Sequence, residues 1–249
     1  MLSIQHIMCL YEKNVQASNR LIAATVYPDA IRAYTGARQY SHFERTYDDS
    51  DVSYMRFSSD MTLTQDEIKA RLLTKCYLAK NIKSCAIGED TDIEAFCKHN
   101  ARLEYVMKAG IGYHLQQDIV FDKFIRTEID CSKKYDDIFV FNNKTMNGEE
   151  LRALITDIEQ QGIYVMAYRL YKKWDMTINQ VWLERNIRPI LEKEYCSDLA
   201  DKTFSYMKIR EDVDELISRH DWTKLNSGVL PLSKYDKLYD DVQQSMVVR

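Results

Sequence analysis

Apolar residues recur at three- and four-residue spacings along most of this 249-residue chain, which is the repeat that places them on one face of a helix. Near the N-terminus this pattern predicts a helix over residues 3–25. Pro28 should end it, because the residue before a proline is pushed out of the helical conformation. Thr64-x-x-Glu67 and Thr91-x-x-Glu94 are typical of capped helix starts. They predict helices over about 64–80 and from 91 past 126.

The C-terminal half shows the same helical periodicity. Asn147-x-x-Glu150 predicts another capped start, followed by a stripe of apolar residues from Leu151 to Ile158. Pro189 lies inside a later pattern and should kink or split that helix. Further helices are predicted over 163–173, 177–194, 197–218 and 233–246, with turns at Gly162, Asp175 and Gly228.

Two polar segments interrupt the helical patterns. The polar segment over residues 35–64 predicts a long surface loop near 44–64, with short strands around 52–57. The second segment, residues 131–147, is turn-rich. Only seven Gly and three Pro occur, which favours helices because both residues break them. The prediction is one all-α, multi-helix domain over residues 1–249. Residues 1–130 would hold the candidate chemistry, and 148–249 would pack as a helical cap or second half.

Composition and charge narrow the classes of partner. The net charge is −4 and no long basic run occurs, which excludes a broad surface for duplex nucleic acid. The six cysteines form no Cys-x-x-Cys pair and predict free thiols of a reduced compartment. Neither a secretory signal pattern nor an apolar run of about 18 residues is visible. These features predict a cytoplasmic protein without a transmembrane segment.

The strongest chemical signal is His114-Leu-Gln-Gln-Asp118. On a helix, side chains at positions i and i+4 lie on one face and can bind a single metal ion. Three earlier residues could complete the site: His6, Asp29 and His42. One set of three would be His42, His114 and Asp118. The other centres on His6 and Asp29, with Asp118 or water completing it.

Each of these residues also has an ordinary alternative. A lone histidine is more often hydrogen-bonded than metal-bound. Tyr27-Pro28-Asp29 is typical of a turn, and Asp29 could cap the following helix. The set as a whole is more specific, because neutral imidazole and carboxylate together suit Zn²⁺ or a similar divalent ion.

Two glycines lie just before His114 within the predicted helix. Gly110 and Gly112 each cost about 1 kcal/mol relative to alanine in a helix interior. Such a cost predicts that a neighbouring backbone approaches closely where the Cβ is missing. The close approach would lie beside the candidate metal site.

The order of these motifs resembles the zinc-dependent phospholipase C family and the related single-strand-specific zinc nucleases. The resemblance rests on a histidine near the N-terminus, then Pro28-Asp29, then Ser41-His42-Phe43, then His114-x-x-x-Asp118 after glycines. It covers about residues 1–130 and agrees in order, spacing and residue type in all four segments. It implies the all-helical fold that these enzymes share.

The resemblance also implies roles for the residues. His42, His114 and Asp118 look like the ligands of one zinc ion. His6 and Asp29 look like ligands of a second, to which the N-terminal amine and carbonyl contribute in secreted members. Asp29 and its bound water would lie close to the scissile phosphate.

The chain departs from the family pattern in two places. Secreted members begin, after processing, with a Trp whose amine binds metal, whereas this chain begins Met1-Leu2. The family's third metal needs a histidine soon after the His-x-x-x-Asp motif and a second such motif. Downstream of Asp118 the only histidine is His220, without a carboxylate four residues on. Asp122, Glu128 and Asp130 could lend a carboxylate there. One or two metal ions are therefore expected rather than three.

If the site holds zinc, the expected chemistry is hydrolysis by a metal-bound water, whose pKa falls toward about 7. Asp29 is the predicted general base or water-orienting residue. The phosphate needs positive side chains, and the nearest in sequence are Arg32, Arg38, Lys123 and Arg126. Lys123 and Arg126 lie one and two turns beyond Asp118 on the same predicted helix.

The sequence thus predicts a metal-dependent, intracellular phosphoester hydrolase with one or two zinc or other divalent ions. Its substrate would be a phosphorylated small molecule, a phospholipid head group or a short single-stranded nucleic acid. The alternative is a helical binding or scaffold protein that keeps the fold and only part of the metal set.

Overall fold

The computed structural model describes residues 1–35, 41–42, 91–129 and 139–246, and confirms an all-α, multi-helix fold with one short hairpin. The predicted loop near 44–64 and the predicted helix over 64–80 lie outside the described residues. The elements are α1 Ser3–Lys13, α2 Asn19–Thr35, α3 Ile93–His99, α4 Tyr105–Glu128, β1 Phe139–Phe141, β2 Lys144–Met146, α5 Gly148–Trp174, α6 Gln180–Asn186, α7 Arg188–Glu194, α8 Ser197–Ser205, α9 Glu211–Ser218 and α10 Leu232–Ser245.

The predicted helix over 3–25 is in fact two helices, so its predicted end at Pro28 is wrong. Asn14 leaves the helical conformation with extended backbone angles and ends α1. The Ser18 hydroxyl then accepts a hydrogen bond from Leu21 N at the start of α2. Pro28 lies inside α2, whose neighbouring residues are buried. Packing of both faces of α2 offsets the backbone hydrogen bond that Pro28 cannot make.

The single helix predicted from 91 past 126 is also divided in two. Asp92, rather than Thr91, caps α3 by accepting from Ala95 N at 2.9 Å. Asn100 ends α3 and folds its side chain back onto the carbonyl of Phe96. An amide side chain that competes for helix carbonyls in this way favours a helix end.

Helix α5 begins as predicted at the Asn147-x-x-Glu150 capping box. The Asn147 side chain accepts from the backbone of Glu149 and Glu150, and the Glu150 side chain accepts from Asn147 N. The predicted end at Asp175 is also confirmed, in the left-handed conformation with φ 51°. The predicted turn at Gly162 is wrong, because α5 runs through it. A Cβ at that position would lie 2.5 Å from Gln5 Nε2, so the glycine serves close packing.

The remaining helices follow the predicted patterns with two divisions. Pro189 splits the pattern over 177–194 into α6 and α7, as predicted. The pattern over 197–218 is divided into α8 and α9, which was not predicted. The final helix agrees with its prediction within one residue at each end.

The hairpin of β1 and β2 was predicted only as a turn-rich segment. Its strands pair antiparallel with Phe139 opposite Met146. Asn142 and Asn143 have φ of 49° and 62°, the left-handed pair that two-residue hairpin turns require. Two asparagines between Phe-Val-Phe and Lys-Thr-Met could have indicated this hairpin.

The helices that carry the candidate residues pack directly on one another. Helix α4 packs along α2, α1 packs on α2 and α5, and α10 contacts α1, α4 and α5. A buried apolar cluster includes side chains from α1 through α10. In the described part of the chain, no helix is long and apolar enough to cross a membrane. Cys9, Cys97 and Cys196 are free thiols, of which only Cys9 is buried.

Candidate metal centre

The structure brings together all five residues that the sequence singled out as metal ligands. His6 comes from α1, Asp29 from α2, and His114 and Asp118 from successive turns of α4. His42 lies in the short described stretch 41–42. All five are buried, and four of them have no exposed surface. The potential ligand atoms form two groups, and within each group all atoms lie within 4.8 Å of one another. One group is His6, His114 and Asp118, and the other is Asp29, His42 and His114.

Asp118 contacts ligands through both of its carboxylate oxygens. Oδ1 lies 3.3 Å from His6 Nε2, and Oδ2 lies 3.5 Å from His114 Nε2 and 3.6 Å from His42 Nε2. The α-amino group of Met1 also donates to Oδ1 at 3.0 Å. The carboxylate therefore joins the three histidines at one point.

The set predicted first, His42, His114 and Asp118, has the spacing of ligands around one ion. The two Nε2 atoms are 3.0 Å apart, and each lies 3.5–3.6 Å from Asp118 Oδ2. Atoms bound tetrahedrally to zinc at about 2.0–2.1 Å are separated by about 3.3–3.4 Å. The second predicted set paired His6 with Asp29. The structure instead groups each of these two with His114.

All three histidines direct Nε2 into the cluster because Nδ1 is hydrogen-bonded outside it. His114 Nδ1 donates to the Thr25 carbonyl at 2.8 Å. His6 Nδ1 lies 2.9 Å from Gln117 Oε1, and His42 Nδ1 lies 2.8 Å from the Ser41 hydroxyl. Such partners fix the ring orientation of metal-binding histidines.

Gly110 brings α4 close enough to α2 for the His114 contact. A Cβ at position 110 would lie 2.5 Å from Ala24 Cβ and 2.9 Å from Thr25 N. The prediction of a close approach at this glycine is thus confirmed, and the site lies one turn further along α4. A Cβ on Gly112 would meet only Phe96, at 3.9 Å, so that glycine serves no close approach among the described residues.

Burial and the neighbouring His114 lower the pKa of His6 to about 4, which keeps its ring neutral at pH 7. For Asp29, burial acts to raise the pKa. Attraction to His114, His42 and His6 outweighs that effect and holds the pKa well below its usual value. Neutral imidazole and ionised carboxylate are the forms that bind metal.

Asp29 lies at the edge of the cluster. Its Oδ1 is 3.3 Å from His42 Nε2, and its Oδ2 accepts a 2.7 Å hydrogen bond from the Ser3 hydroxyl. Arg32, one turn further along α2, places a guanidinium nitrogen 3.9 Å from Oδ1 while its side chain stays 42% exposed. This edge therefore combines a carboxylate with a partly exposed positive charge.

Of the predicted phosphate contacts that the structure describes, Arg32 lies beside Asp29, whereas Lys123 and Arg126 lie further along α4. Lys123 is exposed and lies about 140° around α4 from Asp118. Arg126 is half-buried and lies about 12 Å further along the helix axis than Asp118. Arg38 lies outside the described residues. Arg32 is the positive side chain that the structure places beside Asp29.

Sequence reasoning missed the residues that hold the ligands in place. Gln117 directly precedes Asp118, and Ser41 directly precedes His42, so both were visible as polar neighbours of predicted ligands. Ser3 and Glu159 gave no such signal. Glu159 comes from α5, and its Oε1 lies 4.0 Å from the Met1 amine.

Comparison with known proteins gives no relative. No protein-family model matches the chain, and neither a curated protein nor a solved structure matches it. The buried histidines and carboxylates could hold a metal ion.

Proposed function

We propose that the chain is a zinc-dependent phosphoester hydrolase with one or two ions bound by His6, Asp29, His42, His114 and Asp118. The observation that carries the proposal is the convergence of three histidine Nε2 atoms on the two oxygens of Asp118. Their separations match those between ligands of a tetrahedral ion. The resemblance to the zinc phospholipase C and zinc nuclease group supports the same assignment.

The residues fit zinc in chemical type and protonation. His6 Nε2 is buried without a hydrogen-bond partner although it lies 3.3 Å from Asp118 Oδ1. A neutral ring with Nδ1–H donated to Gln117 has a lone pair on Nε2, which repels a carboxylate unless a cation lies between them. Imidazole nitrogen and carboxylate oxygen are ordinary zinc ligands.

The edge formed by Asp29 and Arg32 favours a hydrolytic role. A bound zinc ion would supply an activated water and polarise a phosphoryl oxygen. Asp29, ionised and held by Ser3, is placed to orient the attacking water and accept its proton. The Arg32 guanidinium would offset charge on the phosphate. Attack of this water on phosphorus would break the ester P–O bond, and the proton that Asp29 accepts would pass to the leaving alkoxide.

The proposed substrate class is a phosphoester of a small molecule, a phospholipid head group or a short single strand. The net charge of −4 argues against a large polyanion, and Arg32 is suited to a single phosphate. The cytoplasmic location stays a prediction.

One observation favours a second candidate function. Four of the five ligand residues have no exposed surface, which is typical of closed structural metal sites. In that case the ion would stabilise a non-catalytic helical binding protein. The number of ligands favours catalysis instead. If two ions share these five residues, each ion has fewer than four protein ligands, which leaves the open position for water that a catalytic zinc site needs.

Hydrolysis of a bis-aryl phosphodiester by the zinc-loaded protein tests the proposal. We expect turnover that a chelator abolishes, and a reduction of about 100-fold or more in kcat for Asp29→Asn, since general-base catalysis contributes about that much. Asp241→Asn, which changes an exposed carboxylate on α10, should match the parent protein.

Two results would count against hydrolysis. Turnover that persists both in the chelator and in Asp29→Asn would come from another centre. A zinc-loaded parent protein that hydrolyses no phosphoester, yet is stabilised by zinc, would establish the structural role instead.

A further inference from the structure

Gln117 lies behind the metal centre and contacts it through a single ligand. The residue is on α4, immediately before Asp118, and is fully buried. Its Oε1 is 2.9 Å from His6 Nδ1, and its Nε2 is 3.0 Å from the sulfur of Met246. The backbone of Met246 is held in turn by Lys13 Nζ, which donates to the Met246 carbonyl at 2.7 Å.

The Met246 sulfur determines which way the Gln117 amide faces. A thioether sulfur can accept a hydrogen bond but cannot donate one. The amide nitrogen therefore faces Met246, and the amide oxygen faces His6. Because that oxygen can only accept, the proton of the neutral His6 ring must be on Nδ1. Nε2 is then left with a lone pair directed at the cluster.

We propose that Gln117 is a positioning residue that holds His6 in the tautomer able to bind metal. This inference rests on the proposed metal centre. Gln117 binds no ion itself, and it acts by keeping a proton off His6 Nε2. In its absence His6 can carry the proton on Nε2 and donate it to Asp118 Oδ1, 3.3 Å away. That hydrogen bond would occupy two ligand atoms at once.

The other two histidines are controlled differently. His114 donates to a backbone carbonyl, which no side-chain substitution removes. His42 contacts the Ser41 hydroxyl, which can donate or accept and so permits either tautomer. Gln117 is thus the side chain, among these three partners, whose replacement changes a tautomer.

The test compares Gln117→Leu with Gln116→Leu. Gln116 is adjacent on α4 but lines a surface cleft with Thr91 and Val120. The control therefore makes the same substitution on the same helix, away from His6. We expect zinc affinity, measured by titration calorimetry, to fall about 10- to 100-fold in Gln117→Leu only, as for other partners of metal-binding histidines. Nitrogen-15 NMR of the metal-free proteins should show the His6 proton on Nδ1 in the parent and on Nε2 in Gln117→Leu.

Gln117→Glu provides the conservative control, since it keeps an oxygen acceptor for His6 Nδ1. We expect it to retain zinc affinity within about threefold of the parent and to keep the Nδ1–H tautomer. If Gln117→Leu fails to fold, a Gln117→Glu protein with the proton on Nε2 would overturn the inference. A parent protein that binds zinc, together with unchanged affinity and tautomer in Gln117→Leu, would overturn it and leave the metal centre standing. A parent that binds no zinc would overturn the metal centre itself.

Discussion

His114→Ala is expected to abolish stable metal binding. His114 is the one histidine shared by both groups of ligand atoms, so its loss disrupts each of them. We expect the purified variant to retain no stoichiometric zinc after dialysis. Loss of the hydrogen-bond partner of a metal ligand lowers metal affinity by about 10- to 100-fold, and loss of His114 itself should lower zinc affinity by more than that. Metal content and titration calorimetry measure both quantities.

A matched control for this change is His99→Ala, which removes an exposed histidine at the end of α3. It should keep the metal content of the parent. Thermal unfolding gives a second readout, because a bound ion stabilises only the folded state. Zinc should raise the Tm of the parent and of His99→Ala, and leave that of His114→Ala unchanged. A His114→Ala protein that keeps a full equivalent of zinc would contradict the assignment.

Gly110→Ala is expected to destabilise the fold by about 2 kcal/mol. Overpacking costs about 1–3 kcal/mol, and here the Cβ would meet backbone atoms of α2, which cannot move aside as a flexible side chain could. The gain of about 1 kcal/mol in helix propensity offsets only part of this cost. Urea unfolding in the presence of a chelator measures the effect without a contribution from bound metal.

The same change two residues further along α4 should have the opposite sign. Gly112→Ala places its Cβ 3.9 Å from Phe96, in ordinary contact, and should stabilise the helix by up to about 1 kcal/mol. Gly110→Ala should also weaken zinc binding, because it moves the Thr25 carbonyl away from His114. Equal effects of the two changes on stability would contradict the packing account.

The helical class and several helix boundaries could be predicted because their causes are local. The Asn147-x-x-Glu150 capping box and Pro189 each act within one turn, and both acted as predicted. The break between α1 and α2 was missed, although polar Ser18 and Asn19 stand three and four positions after Val15, where the apolar repeat would have to continue. Pro28 was misjudged because burial of α2 on both faces outweighs the local cost of the proline.

That His6, Asp29, His42, His114 and Asp118 lie together could be predicted from their residue types and spacing. Which of these residues group around one ion could not be predicted from the sequence. The grouping depends on how closely α2 and α4 approach at Gly110, which is a property of tertiary packing. For Lys123, helical geometry alone already places the residue about 140° around α4 from Asp118, which the sequence prediction did not take into account.

A zinc centre built from nitrogen and oxygen ligands underlies the proposed function. X-ray absorption of the zinc-saturated protein, with metal content measured on the same sample, tests it most directly. We expect one or two zinc ions per chain with histidine and carboxylate ligands at about 2.0–2.2 Å. A protein that takes up no zinc from a non-chelating buffer, or zinc bound chiefly to cysteine sulfur at about 2.3 Å, would contradict it.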